Sequence, residues 1–379
     1  MKRTEESKLT DWYFEIDRRL LFAVLIMALV GLWAMLSAGS VAAERIGQPW
    51  HFFFIKAIWF FPIGLAALFI SSFMNKKWTV RLSALNVIAC VGLLLLTLVL
   101  PSPIKGSARW IEIAGFSFMP ADLLKPGFIF MTAWFLTRME QICDGNSIFT
   151  SPRAWRWDGW PIYLSVFVPA LLIMLMHPDV GTAALYFAVF GAMLFIAGLP
   201  WKWVGAMAGG LAALGGFAFL TMSHFRMRVL GFLGLAGGGD NYQIRKSTES
   251  IRHGGLFGQG SDSFVKASLP DAHTDFVYSA IAEDFGAIIA CVLLIGFVYI
   301  LKRLATDAAN ARDKFVFYAV SGVFAIFALQ IFINLGSALG LVPPKGMTLP
   351  FISYGGSSFM AFCIMFGLTL GIVREDRWK

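Results

Sequence analysis

A chain of 379 residues that is 58% hydrophobic and only 14% charged does not have the composition of a soluble globular protein. Soluble domains carry roughly 25% charged residues, and the mean hydropathy of this chain is +0.71. The formal net charge of +8 could suit nucleic acid, but its distribution along the chain argues against that partner. We therefore expect a helical protein that crosses a membrane many times.

Apolar runs of about twenty residues recur along the chain, each long enough to cross a hydrocarbon core of about 30 Å. The first run, from Leu20 to Val41, is long and lacks a convincing cleavage site, so we interpret it as a retained span. The runs predict an all-α polytopic membrane fold with about ten spans. Their approximate bounds are 20–42, 52–73, 80–100, 118–137, 161–177, 180–199, 202–222, 276–301, 315–341 and 352–373.

Basic residues are concentrated in alternate connections between these runs. With the N-terminus in the cytoplasm, the connections on that side hold most of the Lys and Arg residues, and the short connections opposite hold few. This asymmetry follows the positive-inside rule and predicts that both termini are cytoplasmic. Residues 1–17 are then expected to be a mobile cytoplasmic tail that packs against little, and the long connection 223–275 faces outward.

The long outer connection ends in LPDAHTDF, residues 269–276, where polar chain enters an apolar helix. A carboxylate at this boundary, Asp275, costs several kcal/mol to bury and is therefore a functional candidate. The alternative is an N-cap, because an acidic residue at a helix start binds backbone N–H groups and complements the helix dipole. The sequence leaves both interpretations open.

Two cations lie on the outer side in residues 105–111, KGSARWI. Arg109 presents a planar fork that suits phosphate oxygens, although an arginine beside an interfacial tryptophan can also anchor at lipid headgroups. Further along, Asp122 and Lys125 stand three residues apart, so they share a helical face and can pair. Such a pair can neutralise itself, but charge inside a membrane is rarely incidental.

Three further segments interrupt the apolar pattern. Residues 177–182, HPDVGT, contain Asp179 and form either a tight turn or a site that binds a cation or a sugar. The glycine-rich segment 254–260, GGLFGQG, suits either close approach to phosphate or a flexible loop. Residues 343–358, PPKGMTLPFISYGGSS, predict a re-entrant or broken segment, which is tolerated at membrane depth only against protein or a watery cavity.

Together, LPDAHTDF, GGLFGQG and PPKGMTLPFISYGGSS resemble the SEDS family, named for shape, elongation, division and sporulation. The KGMTLP form of the last motif is more similar to the division members than to the elongation members. The likeness extends from residue 105 to the last span. It implies one membrane domain over 1–379, with ten spans and a large outer loop between the seventh and the eighth.

The resemblance also implies a function. It predicts a peptidoglycan glycosyltransferase that polymerises lipid II into glycan strands at the division septum, in the bacterial inner membrane. The expected reaction is inverting, with undecaprenyl diphosphate as the leaving group. The expected partners are a class B penicillin-binding transpeptidase and other division proteins, and no nucleic acid.

The family pattern carries over to individual residues. Asp275 inherits the role of the essential aspartate, and Arg109, Lys125 and Asp179 are implied to lie along the lipid II cavity. Two departures occur: the family's QPSE is MPAD here, at 119–122, and the Gln before Pro-Asp is His177. The residues expected to contact substrate are Arg109, Lys125, Asp179, His273, Thr274, Lys345 and Ser353.

The chemistry of these residue types agrees with that role. A carboxylate can accept the proton of an attacking sugar hydroxyl as a general base, and cations can stabilise the charge on a departing diphosphate. We therefore expect Asp275 to be the base and Arg109, Lys125 and Lys345 to hold diphosphate. A divalent cation, Mg²⁺ or Mn²⁺, can accompany diphosphate, but neither the cysteines nor other residues show metal-ligand spacing.

Two other functions compete with this one. A flippase that moves a lipid-linked precursor outward also uses broken segments and intramembrane charge, although transporters usually contain internal repeats and none is evident here. A non-catalytic scaffold for division proteins would leave Asp275 replaceable.

Overall fold

The computed structural model describes residues 8–99, 110–113, 116–144, 146–177, 179–233, 235, 239–260 and 263–378. The first half contains α1 (Lys8–Glu15), α2 (Arg18–Arg45), α3 (Phe52–Ser71), α4 (Lys76–Val99), β1 (Ile111–Ile113), β2 (Phe116–Phe118), α5 (Pro120–Cys143), a 3₁₀ turn (Pro152–Trp155), α6 (Trp160–Met176) and α7 (Val180–Ile196). The second half contains α8 (Trp201–Thr221), α9 (Ser223–Phe232), α10 (Gly239–Gly254), α11 (Val265–Ser268), α12 (Val277–Ala309), α13 (Lys314–Ala338) and α14 (Gly356–Trp378).

The predicted all-α membrane fold is confirmed. Within the described ranges, seven helices are long and apolar enough to cross a membrane, namely α2, α3, α4, α8, α12, α13 and α14. The apolar helices α6 and α7 are shorter, and α5 carries several charges along its 24 residues. The number of ten spans therefore stays a prediction. The two short strands pair antiparallel, with Ile111 opposite Phe118, and form a hairpin directly before α5.

The core of the bundle lies around α13 and α14. Both helices are apolar on all sides because other helices surround them, unlike a surface helix with one apolar stripe. Phe327 of α13 and Phe366 of α14 are completely buried, with ring centroids 5.2 Å apart. These two central helices carry the segment between them, residues 339–355, into the interior of the protein.

The expectation that the N-terminal tail packs against little is wrong for its described part. Residues 8–15 form helix α1, and the Trp12 indole is buried with its Nε1 donating a hydrogen bond to Ser72 Oγ at 2.8 Å. Its ring lies 4.8 Å from that of Phe69 and 5.3 Å from that of Phe73. A short amphipathic helix therefore covers the end of α3. It was not predicted because charged residues separate its few apolar ones in the sequence.

Helix α12 is broken at Gly286, which has a φ of +81° that side chains rarely tolerate. The glycine-rich segment 254–260 fills the break. The carbonyl of Gly255 accepts a hydrogen bond from the Ala287 N–H at 2.9 Å, and the Gln259 N–H donates to the Glu283 carbonyl at 2.8 Å. The segment is thus docked in the break of the helix, where its backbone groups pair with those on both sides of Gly286.

The predicted broken segment is present between α13 and α14. It contains no helix, and Leu349, Phe351 and Ile352 within it are buried. The carbonyl oxygen of Phe351 lies so close to Gly31 of α2 that a methyl group there would come within 1.9 Å of it. The irregular backbone is thus enclosed by protein, as its position at membrane depth requires.

Candidate functional site

A cavity of about 570 Å³ lies where the helix ends opposite the chain termini meet. Its walls come from α2, α3, α5 and α7, from the loop before α12 and from the broken segment before α14. The charged side chains that line it are Arg45, Lys56, Asp122, Lys125, Asp179, Asp271, Asp275 and Lys345. Motifs that are far apart in the sequence therefore share one polar chamber in an apolar bundle.

Asp275 lies on the wall of this cavity, half-buried. Helix α12 begins at Val277, and its N-cap position is occupied by Phe276, which makes no side-chain cap. Asp275 therefore does not occupy the N-cap position of α12, and it lines the cavity. Such a carboxylate beside a space large enough for a substrate group has the position that a general base requires.

Two buried amides on α13 hold the loops around Asp275. Asn334 Nδ2 donates to the carbonyl of Asp275 at 3.0 Å and to that of Met347 at 2.6 Å. One turn earlier, Gln330 Nε2 donates to the carbonyl of Thr348 at 2.9 Å. A regular, buried helix thus fixes the backbone of the carboxylate loop relative to the broken segment.

The predicted pairing of Asp122 with Lys125 is confirmed. Lys125 Nζ lies 2.6 Å from Asp122 Oδ1 and donates a second hydrogen bond to Gln330 Oε1 at 2.8 Å. The Lys125 side chain is only 2% exposed. Since both residues also line the cavity, the pair neutralises a buried cation while keeping it beside the space that a substrate would enter.

Lys345 reaches across the start of α7. A methyl group on Gly181 would come within 2.7 Å of Lys345 Nζ, so the glycine two residues after Asp179 leaves room for this side chain. The next residue, Gly346, has a φ of +67°, and a methyl group there would lie 3.5 Å from Asp275 Oδ2. The broken segment therefore brings a cation and the candidate base to neighbouring positions.

Asp179 caps a helix and lines the cavity, and its binding of a cation or a sugar stays a prediction. Its Oδ1 accepts a hydrogen bond from the Thr182 N–H at 3.2 Å, which caps α7, and the residue also lines the cavity. His177 is buried outside the cavity lining, with its Nε2 2.8 Å from Thr97 Oγ1. The substituted histidine thus joins the end of α6 to α4.

The remaining residues predicted to contact substrate are His273, Thr274, Ser353 and Arg109. His273 and Thr274 line the cavity, and the ring of His273 lies 4.3 Å from that of Phe53, tilted by 38°. Ser353 is not among the lining residues: its hydroxyl donates to the carbonyl of Thr274 and accepts from the Leu349 N–H. This position does not support the predicted substrate contact, because the hydroxyl already joins two loops. Arg109 lies outside the described residues.

Sequence reasoning missed Lys56. It lies half-buried on α3, a span to which we assigned no chemistry, and its ammonium group is 4.5 Å from the ring centroid of Phe52. The available signal was a single cation inside the apolar run FFFIKAIWFF.

Across the described residues, no three His, Cys, Asp or Glu side chains cluster closely enough to hold a metal ion. A divalent cation that arrives with diphosphate stays a prediction.

The sequence was compared with models of known families. The model of the FtsW/RodA/SpoVE family, described as "Cell cycle protein", matches residues 18–378. The chain belongs to this family. Its relatives include the proteins named "Probable peptidoglycan glycosyltransferase FtsW" from Caulobacter vibrioides and Aliivibrio salmonicida. The first is 33% identical and the second 32%, over 98% of this chain and 93% and 94% of the respective relatives.

Solved structures of the FtsW/RodA/SpoVE family have the same fold. One chain comes from a structure titled "Structural coordination of polymerization and crosslinking by a peptidoglycan synthase complex". It aligns with a TM-score of 0.74 and 27% identity, over 96% of this chain and 99% of that one. The rod shape determining protein RodA of Thermus thermophilus aligns with a TM-score of 0.68 and 26% identity, over 96% and 98%. The architecture around the cavity is thus that of the family.

Proposed function

We propose that this protein is a peptidoglycan glycosyltransferase that polymerises lipid II into glycan strands, with Asp275 as the general base. The observation that carries the proposal is the Asp275 carboxylate on the wall of a cavity that also contains Lys125 and Lys345. The names of the FtsW relatives, which match nearly the whole chain, support the same reaction.

The reaction requires a proton acceptor and stabilisation of a leaving group. A sugar 4-hydroxyl attacks the anomeric carbon of the donor, a new C–O bond forms, and its proton passes to Asp275. The bond from the anomeric carbon to the diphosphate breaks, and the lipid diphosphate leaves with the electron pair. Attack opposite the leaving group inverts the anomeric centre.

The cations of the cavity suit the leaving diphosphate. Lys345 lies beside the segment that approaches Asp275, and Lys125 lies across the same cavity, held by Asp122 and Gln330. Fixed cations in a partly water-excluded site stabilise developing charge without reorganisation. Lys56 joins this set, and Arg109 stays in it through the family resemblance.

The cellular setting follows from the same family. The protein is a multi-pass membrane protein, and we place it in the bacterial inner membrane at the division septum. Both termini would be cytoplasmic, a placement supported by the contact of Trp378 Nε1 with the carbonyl of Glu15 at 3.2 Å, which puts the termini on one side. Its partner would be a class B penicillin-binding transpeptidase, as the synthase complex among the similar structures suggests.

The decisive experiment uses purified protein in detergent with lipid II, with and without such a transpeptidase. Polymer should form and should depend on Asp275, so Asp275→Ala should abolish it while the protein still elutes as a folded species. A flippase would leave lipid II unpolymerised in detergent, where no second compartment exists. A scaffold would retain its effect on the partner after the same substitution.

A further inference from the structure

A second cavity lies on the opposite side of α5 from the polar chamber. It measures about 460 Å³, lies between α4, α5, α6 and α7, and shares no lining residue with the first. Its floor is aromatic and apolar, formed by Phe128, Phe135 and Tyr163 among others. The mechanism proposed above makes no use of it.

This cavity is a cleft that opens sideways to the lipid. Ile88 on α4 is 72% exposed and Ile162 on α6 is 57% exposed, although both line it. It extends along α5 from Leu124 to Arg138, which corresponds to about 21 Å at 1.5 Å per residue. A slot of that length covers most of a hydrocarbon core of about 30 Å. An extended acyl chain has the shape to fill it.

A buried hydrogen bond joins α4 to the end of α6 beyond one end of the cleft. Thr97 Oγ1 of α4 and His177 Nε2 at the end of α6 are buried and 2.8 Å apart. Met174, one turn before His177, still lines the cleft. The described lining near this end holds no charged residue, so a lipid headgroup finds no ionic partner there.

The inner end carries two opposite charges. Arg138, near the end of α5, and Asp158, just before α6, are the charged residues among the cleft's described lining. Both are exposed, and the Arg138 guanidinium lies 5.5 Å from the ring centroid of Trp134. A guanidinium binds phosphate oxygens through a planar fork, whereas a carboxylate accepts hydrogen bonds from an ammonium group.

We propose that this cleft binds phosphatidylethanolamine from the leaflet on the side of the chain termini. One acyl chain fills the cleft, Arg138 binds the phosphate, and Asp158 accepts hydrogen bonds from the primary ammonium. A choline headgroup has no N–H to donate, and a glycerol headgroup has no positive charge. The proposal is independent of the glycosyltransferase activity, since it concerns separate residues and a separate cavity.

The test measures lipid retained by purified protein in native mass spectrometry, after exchange into detergent with one defined phospholipid at a time. Phosphatidylethanolamine should be retained as one molecule per chain, about tenfold more tightly than phosphatidylcholine or phosphatidylglycerol. Asp158→Asn should remove the preference over phosphatidylcholine, and Arg138→Gln should weaken retention of all three lipids. Ala84→Trp, which fills the cleft from α4, should abolish retention.

Matched controls come from α8, where Lys202 and Ala208 are exposed and do not line the cleft. Lys202→Gln and Ala208→Trp should retain lipid like the unsubstituted protein. Val166→Trp fills the cleft from the opposite wall and replaces Ala84→Trp if that variant melts early. Equal retention of the three phospholipids would overturn the proposal, as would displacement of phosphatidylethanolamine by undecaprenyl phosphate, or equal losses in the controls.

Discussion

The two membrane surfaces of this protein each carry a buried cluster of charges, and the clusters differ in what surrounds them. On the side of the termini, Asp17 and Asp307 are buried and are paired with Arg303 and Arg377. On the outer side, Asp275 shares a cavity of about 570 Å³ with several cations. The charged groups beside the termini pair with one another, whereas the charged groups around Asp275 line a cavity that is large enough for part of a substrate.

The difference shows how buried charge should be interpreted in a membrane protein. A buried ion pair is weak support for a functional site because pairing alone can offset its desolvation. The inner cluster joins the start of α2, the end of α12 and the end of α14, and this accounts for its charges. The outer carboxylate at residue 275 is distinguished by the adjoining cavity. Substitutions in each cluster should therefore have different consequences.

The largest effect is expected for Asp275→Asn, which keeps the shape of the side chain and removes the base. Polymerisation of lipid II should fall by about 10²–10⁴-fold, the usual contribution of general base catalysis. Asp144→Asn is the matched control, because it makes the same change at an exposed position away from the cavity, where Asn tolerates the φ of +48°. Initial rates and melting temperatures measured side by side decide the outcome; similar rates for the two variants would remove Asp275 as the base.

The next effect separates a substrate contact from a structural pair. Lys125→Met should lower the rate by about a hundredfold through loss of a fixed cation, and should also destabilise the protein because Asp122 stays half-buried without its pair. The double variant Asp122→Asn with Lys125→Met should regain stability without regaining activity. Thermal melting and lipid II turnover report the two properties separately. Recovery of both would reduce Lys125 to a packing role.

A smaller effect is expected from Asn334→Leu, which removes the hydrogen bonds to the carbonyls of Asp275 and Met347. Its kcat should fall by about tenfold with little change in KM, because the base is displaced while the cations stay in place. Asn86→Leu is the control, since its side chain also bonds to backbone: Asn86 Oδ1 accepts a hydrogen bond from the Gly127 N–H of α5 at 3.2 Å. Equal losses of kcat in both variants would mean that Asn334 serves only stability.

The smallest effect on catalysis is expected in the inner cluster. Burial opposes ionisation of Asp17, but hydrogen bonds from Arg303 and the Leu20 N–H outweigh it and lower the pKa of this carboxyl. The resulting stability is present above the unfolded pKa of about 4 and is lost as the pH falls through the folded value.

Asp17→Asn should accordingly lower the melting temperature by about 2–5 °C at pH 7. The difference in melting temperature between the variant and the unsubstituted protein should shrink below about pH 4. Asparagine also caps helices well, so the change isolates the charge. Turnover of lipid II at 25 °C should be unaffected. A loss of kcat as large as that of Asn334→Leu would contradict the division of roles between the two surfaces.

Most of the helices could be predicted because twenty consecutive apolar residues have few other stable arrangements. The expected span 315–341 corresponds to α13 at Lys314–Ala338, and 161–177 to α6 at Trp160–Met176. The N-terminal helix α1 was missed because its short apolar side is interrupted by charges, and its stability comes from packing on α3.

The candidate site was predicted in its motifs but only partly in its geometry. Asp275 and Lys345 were expected to be functional, and the cavity brings them to neighbouring walls. Lys56 could not be assigned, because a single lysine in a span does not specify which helix it faces. Ser353 was expected to contact substrate, and only the structure places its hydroxyl between two loops.

The break in α12 determines how far the outer loop can influence the carboxylate. A hydrogen bond from the Gln259 N–H to the Glu283 carbonyl joins the chain before Asp275 to the chain after it. Glu283 strengthens this connection, since its carboxylate accepts from the Val265 and Lys266 N–H groups at 2.8 and 2.7 Å. The chain at Gly255 and Gln259 is thus tied to α12 on both sides of Gly286, which limits how far a movement of the chain before it can displace Asp275.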